Sequence, residues 1–354
     1  MRVRVLVIDD SAIARDLIER GLSRDPELEV VGKAKDAYDA RDKIVLLKPD
    51  VITLDVEMPR MDGIAFLKRL LPQYPLPAVI VSAVTVEGSR HALEALDAGA
   101  VAVVAKPRAE DRAGLLAMLA ELAEAVKEAA RADVSKMRRG AILARAVAKP
   151  AAMRGDGRVI AIGASTGGTA ALNRIIPLFP PAMPGTVVVQ HMPPVFTRMF
   201  AESLGRSSQV EVREAGDGDE IRPGLVLVAP GDLHLTISRK GGGWVAACRP
   251  GPKVSGHRPS VDVLFASVAE AAGDKALGLL LTGMGRDGAA GLLAMRRAGA
   301  RCLAQDEASS VVFGMPREAW ELGAAESLVS LDSAVDELVD RLAAPRRPAA
   351  LRRS

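Results

Sequence analysis

A serine held between glycines is the first residue of this chain that could do covalent chemistry. Ser165 follows an apolar run that starts at Val159 and precedes Gly167, which gives the pattern G-x-S-x-G. The apolar run predicts a buried strand, and the glycines allow a sharp turn that pushes the serine hydroxyl out at the sheet edge. This is where a nucleophile would sit, but a serine that only caps the next helix gives the same local pattern.

A nucleophilic serine needs a base within hydrogen-bond reach and a third group to orient that base. The chain contains four histidines, His91, His191, His234 and His257. His191 directly follows a predicted strand, Thr186–Gln190, so it leaves the sheet at the same kind of edge as Ser165. On this geometry His191 is the best base. His91 is most simply a surface residue, whereas His234 and His257 could serve structurally or contact substrate.

A carboxylate that could orient His191 follows a third predicted strand. Asp287 follows an apolar strand and two glycines and stands at the start of a predicted helix. It is either the acid that orients His191 or a plain helix N-cap. The order Ser165, His191, Asp287 differs from the serine, acid, histidine order of α/β-hydrolases, so the G-x-S-x-G match does not place the chain in that superfamily.

A second group of chemically active side chains lies near the N-terminus. Asp9 and Asp10 follow the first predicted strand, and Asp55 follows the third. In a doubly wound sheet these strand ends lie side by side, so three carboxylates would converge and would need a cation, for which Mg²⁺ suits the oxygen ligands. Ser82 and Lys106 end two further strands and could bind phosphoryl oxygens, although capping and surface charge would explain single members of the set.

Two α/β domains must position these groups. Strands and helices alternate over residues 1–125, which predicts a flavodoxin-like doubly wound domain with a parallel sheet. Its predicted strands are Val3–Ile8, Leu28–Ala34, Val51–Leu54, Ala78–Ser82 and Val101–Val104. Residues 157–342 alternate again and predict a second doubly wound, mostly parallel α/β domain, with a hairpin turn at Lys240–Gly243. Between them, residues 126–156 are predicted to be a basic, partly helical linker, and 343–354 a disordered basic tail.

Composition narrows the function classes. The net charge of +3 is too weak to indicate a nucleic-acid partner, and the basic linker is more simply a solvated hinge. Two cysteines without metal-ligand spacing argue against zinc. No apolar run approaches the ~20 residues of a membrane span, and no signal-peptide pattern occurs. We therefore expect a cytoplasmic monomer without membrane insertion.

The first domain resembles the receiver domain of two-component response regulators over about residues 1–125. The segments that carry the resemblance are Asp9-Asp10, Asp55-Val-Glu-Met-Pro59, Asp62-Gly63, Ser82-Ala83 and Lys106-Pro107. The resemblance implies that Asp55 accepts a phosphoryl group from a histidine kinase and that Asp9, Asp10 and Asp55 surround Mg²⁺. Receivers usually carry Tyr or Phe three residues before the lysine, whereas this chain has Val103, so a helix or loop shift must carry more of the signal.

The second domain resembles the CheB family of chemotaxis protein-glutamate methylesterases over about residues 157–342. Six collinear segments carry the resemblance: Ile162–Gly168, Gln190–Pro193, Ala229–Asp232, His257–Asp262, Leu281–Gly288 and Gln305–Glu307. It implies hydrolysis of γ-glutamyl methyl esters on chemoreceptor cytoplasmic domains, deamidation of receptor glutamines, and the kinase CheA as phosphodonor. Carried over by position, Ser165, His191 and Asp287 are catalytic, Thr166 supports the histidine, and the Met284 N–H is an oxyanion donor. Hydrolysis itself needs no cofactor.

One regulatory hypothesis and two rival functions accompany this interpretation. The hypothesis is that the unphosphorylated receiver covers the Ser165 cleft and that phosphorylation of Asp55 weakens the packing. One rival is a response regulator whose second domain only binds a partner or nucleic acid, against which the three catalytic residues and the lack of a basic recognition helix argue. The other is a pure receptor glutamine amidase, which the residues cannot separate from an esterase.

Overall fold

The computed structural model describes residues 2–83, 85–107, 112–138 and 157–343, which belong to two compact units divided after Arg138. The fifth helix ends at Ala129, and a 3₁₀ turn follows over Val134–Arg138. Val134 is buried in the core of the first unit, so this unit extends past the predicted boundary at residue 125. The remainder of the predicted linker, 139–156, and the tail from residue 344 lie outside the described residues.

The first unit is a five-stranded parallel sheet with the strand order β2-β1-β3-β4-β5. Its strands are β1 (Val3–Ile8), β2 (Leu28–Ala34), β3 (Val51–Leu54), β4 (Ala78–Ala83) and β5 (Ala102–Lys106). Its helices are α1 (Ala12–Leu22), α2 (Ala37–Leu47), α3 (Gly63–Leu70), α4 (Val86–Asp97) and α5 (Arg112–Ala129). The flavodoxin-like prediction is confirmed, and the strand order reverses between β1 and β3, where such sheets bind ligands.

Local polar groups fix where the helices of this unit begin. Ser11, Asp36 and Asp62 each precede a helix, and each side chain accepts a hydrogen bond from a main-chain N–H of the first turn. Strands β3 and β4 are mostly aliphatic and buried on both faces, as a parallel sheet covered by helices requires. These caps and buried strands hold the strand ends, and the side chains that follow them, at one edge of the sheet.

The second unit contains a seven-stranded parallel sheet and a separate three-stranded antiparallel sheet, with the orders β15-β14-β13-β6-β7-β10-β8 and β11-β12-β9. The large sheet comprises β6 (Val159–Ala164), β7 (Gly185–Gln190), β8 (Glu211–Glu214), β10 (Leu225–Val228), β13 (Ala276–Leu280), β14 (Arg301–Gln305) and β15 (Ser327–Val329). The small one comprises β9 (Glu220–Ile221), β11 (His234–Lys240) and β12 (Gly243–Arg249). The predicted hairpin joins β11 to β12.

The described part of the second unit also contains six α-helices: α6 (Gly168–Ile175), α7 (Phe196–Arg206), α8 (Val261–Ala272), α9 (Ala289–Arg297), α10 (Met315–Glu321) and α11 (Ala334–Ala343). The chain runs from β6 to β7 on one side and later returns to β13 on the other side of β6. The switch point therefore lies between β6 and β13, and the residues after these strands share one crevice. None of the described helices combines the length and apolarity that a membrane span requires.

Candidate active site

The register of two neighbouring strands places Ser165 next to His191. Ala164 of β6 pairs with Gln190 of β7, and the His191 N–H donates to the Ala164 carbonyl at 3.1 Å. Both side chains therefore leave the sheet at adjacent strand ends. The third candidate, Asp287, follows β13, which pairs with β6 on its other side.

The three predicted catalytic side chains form one hydrogen-bonded chain. The Ser165 Oγ lies 3.0 Å from Nδ1 of His191, and Nε2 of His191 lies 2.8 Å from Oδ2 of Asp287. A carboxylate only accepts, so Nε2 carries the proton and Nδ1 offers a lone pair to the serine hydroxyl. In this tautomer His191 can take the Ser165 proton, and the resulting imidazolium would face the carboxylate.

Asp287 is buried and receives four hydrogen bonds. Besides His191, its donors are the Ser260 hydroxyl at 2.8 Å and the main-chain N–H groups of Val261 and Asp262 at 2.7 and 3.0 Å. Burial alone would raise the pKa of Asp287, but the hydrogen bond and charge of His191, and then the bonds from Asp262 and Ser260, lower it to about 2. Its carboxylate caps the first turn of α8, whereas its own helix α9 has Gly288 at the N-cap without a side-chain bond.

Gln190 links the segment of Ser165 to that of His191 through two hydrogen bonds. Its Nε2 donates to the carbonyl of Ser165 at 3.0 Å and to that of His191 at 3.1 Å. Its Oε1 is buried without a hydrogen-bond donor, and a Cβ added at Gly168 would lie 2.1 Å from this oxygen. Gly168 is therefore required by the approach of Gln190, and Gly167 by its φ of 76°.

The other histidines of this unit surround the chain of three. The His257 ring stacks on His191 with centroids 3.7 Å apart and 9° between the planes. Burial, and then the proximity of His191, lowers the pKa of His257 to about 4, so it stays neutral at pH 7. His234 is buried, and its Nε2 donates to the Pro252 carbonyl at 2.8 Å while Nδ1 accepts from the Ser260 N–H at 3.3 Å.

Thr166 and Met284, the predicted supporting residues, lie in the two loops that border Ser165. The Thr166 carbonyl accepts from the Thr282 hydroxyl at 3.0 Å, and the Ser165 N–H donates to the Thr282 carbonyl at 3.0 Å. A Cβ added at Gly283 would lie 2.7 Å from the Ser165 Cβ. The main chain that leads into Met284 thus passes directly beside the nucleophile, which is the place for an oxyanion donor, but its role stays a prediction.

The structure also brings together the acidic group of the first unit. Carboxylate oxygens of Asp9, Asp10 and Asp55 all lie within 4.8 Å of one another. The Lys106 Nζ lies 2.8 Å from Asp9 and 2.7 Å from Asp55. Burial raises the pKa of Asp55, and the nearby Lys106 only partly offsets this effect. Burial disfavours the charged form of Lys106, but the carboxylates of Asp55 and Asp9 outweigh it and raise the pKa of Lys106.

Ser82 and Val103 lie on the neighbouring strands β4 and β5. The Ser82 hydroxyl is buried and donates to the Gly88 carbonyl in α4 at 3.1 Å. Val103, the residue at the position where receivers usually carry an aromatic, is buried in β5. The hydroxyl predicted to bind a phosphoryl oxygen is therefore already bonded to the start of a helix.

Several residues that organise the site have no role that the sequence analysis assigned to them. Gln190 lay within a motif without an assigned role, and Ser260 and Asp262 lay within another. The Thr282 N–H donates to Gln305 Oε1 at 2.8 Å, which gives Gln305 a place beside the turn that contains Ser165. The collinear motifs were the available signal, since each of these residues belongs to one.

Comparisons with known proteins cover both units. The family described as CheB methylesterase matches residues 160–338, and the response regulator receiver domain family matches residues 5–119. A protein-glutamate methylesterase/protein-glutamine glutaminase of Syntrophotalea carbinolica is 56% identical over 98% of this chain and 99% of its own. One of Anaeromyxobacter dehalogenans is 53% identical over 96% and 94%. The crystal structure of the Thermotoga maritima CheB methylesterase catalytic domain matches with a TM-score of 0.51 and 38% identity, over 52% of this chain and 99% of that domain.

Proposed function

This chain belongs to the CheB methylesterase family, and we propose that it hydrolyses γ-glutamyl methyl esters on the cytoplasmic domains of chemoreceptors and deamidates particular receptor glutamines. The observation that carries the proposal is the hydrogen-bonded chain from Ser165 through His191 to Asp287. Relatives with more than half of their residues identical over nearly the whole chain are named for both activities.

Each residue of the site has a defined part in the proposed reaction. The Ser165 Oγ attacks the ester carbonyl while its proton passes to Nδ1 of His191, and Asp287 stabilises the imidazolium that forms. The Met284 N–H would donate to the oxyanion, a contact typically worth ~3 kcal/mol in acyl transfer. His191 then protonates the leaving methoxide, methanol departs, and water activated by His191 hydrolyses the acyl-enzyme to the glutamate carboxylate.

The same acyl-enzyme forms from a glutamine, with ammonia as the leaving group in place of methanol. A pure amidase would therefore have the same residues and the same geometry as an esterase. Incubation with methylated receptor and with a receptor that carries the glutamines separates these functions, because methanol and ammonia are released independently. Release of ammonia without methanol would support the amidase alone.

Replacement of the nucleophile tests the catalytic assignment. We expect Ser165→Ala to abolish methanol release from methylated receptor, since no other hydroxyl lies within hydrogen-bond distance of His191 among the described residues. Ser238→Ala, at an exposed position on β11, is the matched control and should retain full activity. Both variants should show the same unfolding temperature as the wild type. Methanol release by Ser165→Ala at the wild-type rate would show that another residue is the nucleophile.

We also propose that phosphorylation of Asp55 activates the hydrolase, with the kinase CheA of a receptor array as phosphodonor. Asp9, Asp10 and Asp55 would hold Mg²⁺, since an all-oxygen set suits this ion, and bound Mg²⁺ would offset the charge of the phosphoryl oxygens. Ser82 and Lys106 would bind those oxygens. Because Ser82 is bonded to Gly88 in α4, capture of its hydroxyl by the phosphoryl group would release this helix, which suits a receiver with Val103.

The regulatory proposal has its own test. Asp55→Asn should retain the basal rate of methanol release and lose its stimulation by a small-molecule phosphodonor in the presence of Mg²⁺. Asp42→Asn, an exposed change on α2, should respond as the wild type does. An Asp55→Asn protein that is stimulated fully would overturn the role of Asp55 without affecting the assignment of Ser165.

We propose that the chain works in the cytoplasm, beside the receptor arrays and without inserting into the membrane.

A further inference from the structure

The position of the catalytic acid depends on a serine that lies 27 residues earlier in the chain. The Ser260 hydroxyl donates to Asp287 Oδ1, on the carboxylate oxygen opposite the one that His191 contacts. It is fully buried, so no water competes for this bond. The remaining donors, Val261 and Asp262, use main-chain N–H groups and follow directly after Ser260.

The starts of α8 and α9 are joined by reciprocal hydrogen bonds, each from a carboxylate at one helix to the main chain of the other. Asp287, which precedes α9, binds the first turn of α8, and Asp262, in the first turn of α8, accepts from the Gly291 N–H of α9 at 2.7 Å. Gly291 permits the contact, since a Cβ there would lie 2.9 Å from the Asp262 carbonyl oxygen. The exchange fixes the relative position of the two helix starts, and therefore the position of Asp287 relative to His191.

The geometry indicates that the Ser260 hydroxyl serves Asp287 more than its own helix. Its single proton is donated to Asp287 Oδ1 at 2.8 Å, whereas as an N-cap it accepts from the Val263 N–H at 3.4 Å. His234 holds the Ser260 main chain from behind through the bond at 3.3 Å. Without the hydroxyl, Oδ1 would lose its hydroxyl donor while keeping the Asp262 N–H, and the carboxylate would be freer to rotate away from His191.

We propose that Ser260 is a positioning residue for the hydrolysis: its buried hydroxyl holds the Asp287 carboxylate in the plane in which it meets His191. This inference rests on the proposed function only for its receptor assay. The effect should fall on kcat, because orientation of the acid matters once positive charge develops on His191, while the contacts that bind substrate are unchanged.

The test compares two substitutions that both remove the Ser260 hydroxyl but differ in how well they cap the helix. Ser260→Ala and Ser260→Gly both remove the hydroxyl, but glycine is tolerated as an N-cap far better than alanine. Ser267→Ala is the matched control. Ser267 lies in the middle of α8, and its hydroxyl bonds to Leu264 and to Ile237 of β11 but does not contact Asp287. The full-length proteins are assayed for kcat and KM on methylated receptor and for the rate at which phenylmethanesulfonyl fluoride modifies Ser165.

We expect both Ser260 variants to lose about 10- to 100-fold in kcat, with KM nearly unchanged and Ser165 modification slowed in proportion. The Ser267→Ala protein should keep both rates even if its unfolding temperature falls equally. Loss in Ser260→Ala with a normal rate in Ser260→Gly would identify a capping role and overturn the proposal, as would normal rates in both. Modification of Ser165 by the reagent requires no receptor, so it tests the role of Ser260 independently of the substrate. If the wild-type protein did not hydrolyse methylated receptor, only the proposed function would be overturned.

Discussion

Replacement of Asp287 by asparagine tests the tautomer that the structure assigns to His191. The asparagine has the same shape, but one of its two terminal atoms must be an amide NH₂ that can only donate. If this group occupies the place of Oδ2, it faces Nε2–H of His191 and the Val261 N–H, which are both donors. His191 would then turn to the tautomer with its proton on Nδ1, and Ser165 would lose its base.

The other amide orientation is also unfavourable. If the NH₂ group occupies the place of Oδ1, it faces the Asp262 N–H, and Ser260 must reverse its hydroxyl. A buried donor left unsatisfied costs about 1–3 kcal/mol, and the negative charge opposite the imidazolium is lost in either case. We therefore expect kcat to fall by about 10⁴-fold, the size seen when an amide traps the wrong tautomer in another serine hydrolase, which corresponds to about 5 kcal/mol.

Methanol release from methylated receptor under single-turnover conditions measures this loss directly. Asp332→Asn is the matched control, because it makes the same change at an exposed residue that pairs with Arg174. Its rate should stay within twofold of the wild type, since surface ion pairs contribute about 0–1 kcal/mol. A loss of less than tenfold in Asp287→Asn, with the fold intact, would refute the assignment of the proton to Nε2 and the charge-stabilising role of Asp287.

Three further predictions concern pH, packing and charge. The pKa of His257 is about 4 in the folded chain, below the ordinary 6.5, so the second unit should lose stability as pH falls from 6.5 towards 4. The loss should reach at most about 2 kcal/mol between pH 7 and 5 in urea unfolding, followed by tryptophan fluorescence, and His257→Phe should remove it. Gly168→Ala should displace Gln190, and should thereby lower the free energy of unfolding by about 1–3 kcal/mol and abolish most of the methanol release. In the control Gly243→Ala the added Cβ meets nothing closer than 3.9 Å, so neither quantity should fall. Lys106→Met should tighten Mg²⁺ binding about tenfold by calorimetry, because it removes a cation 2.7 Å from Asp55, and should weaken phosphodonor stimulation.

Local sequence patterns were sufficient for the strands that carry the site. Apolar runs predict β6, β7 and β13, because strands buried on both faces need continuous apolar side chains. Since parallel strands end at one edge, Ser165, His191 and Asp287 could be expected there together. The short strands β14 and β15, at one edge of the large sheet, were not predicted as strands, since their side chains give a weaker pattern.

The contacts that orient these side chains could not be inferred in the same way. Asp287 at the start of a helix fits an N-cap on local grounds, yet its carboxylate caps a different helix, α8. Gln190 bonds to a carbonyl 25 residues away. Such bonds depend on how close two distant segments approach, which strand periodicity does not encode. The roles of Thr166 and Met284 were inferred from the family resemblance and remain predictions.

The pairing of β6 with β7 means that the spacing of Ser165 and His191 is a property of sheet register. Neighbouring strands lie about 4.8 Å apart, and Nδ1 is the ring nitrogen nearest to the main chain, so His191 reaches Ser165 without an extended side chain. Few torsions need to be frozen to form the pair, and a slip of one residue between the strands would turn one partner to the opposite face. Modification of Ser165 by a serine-directed reagent should therefore appear during refolding at the moment when these two strands acquire their native alignment.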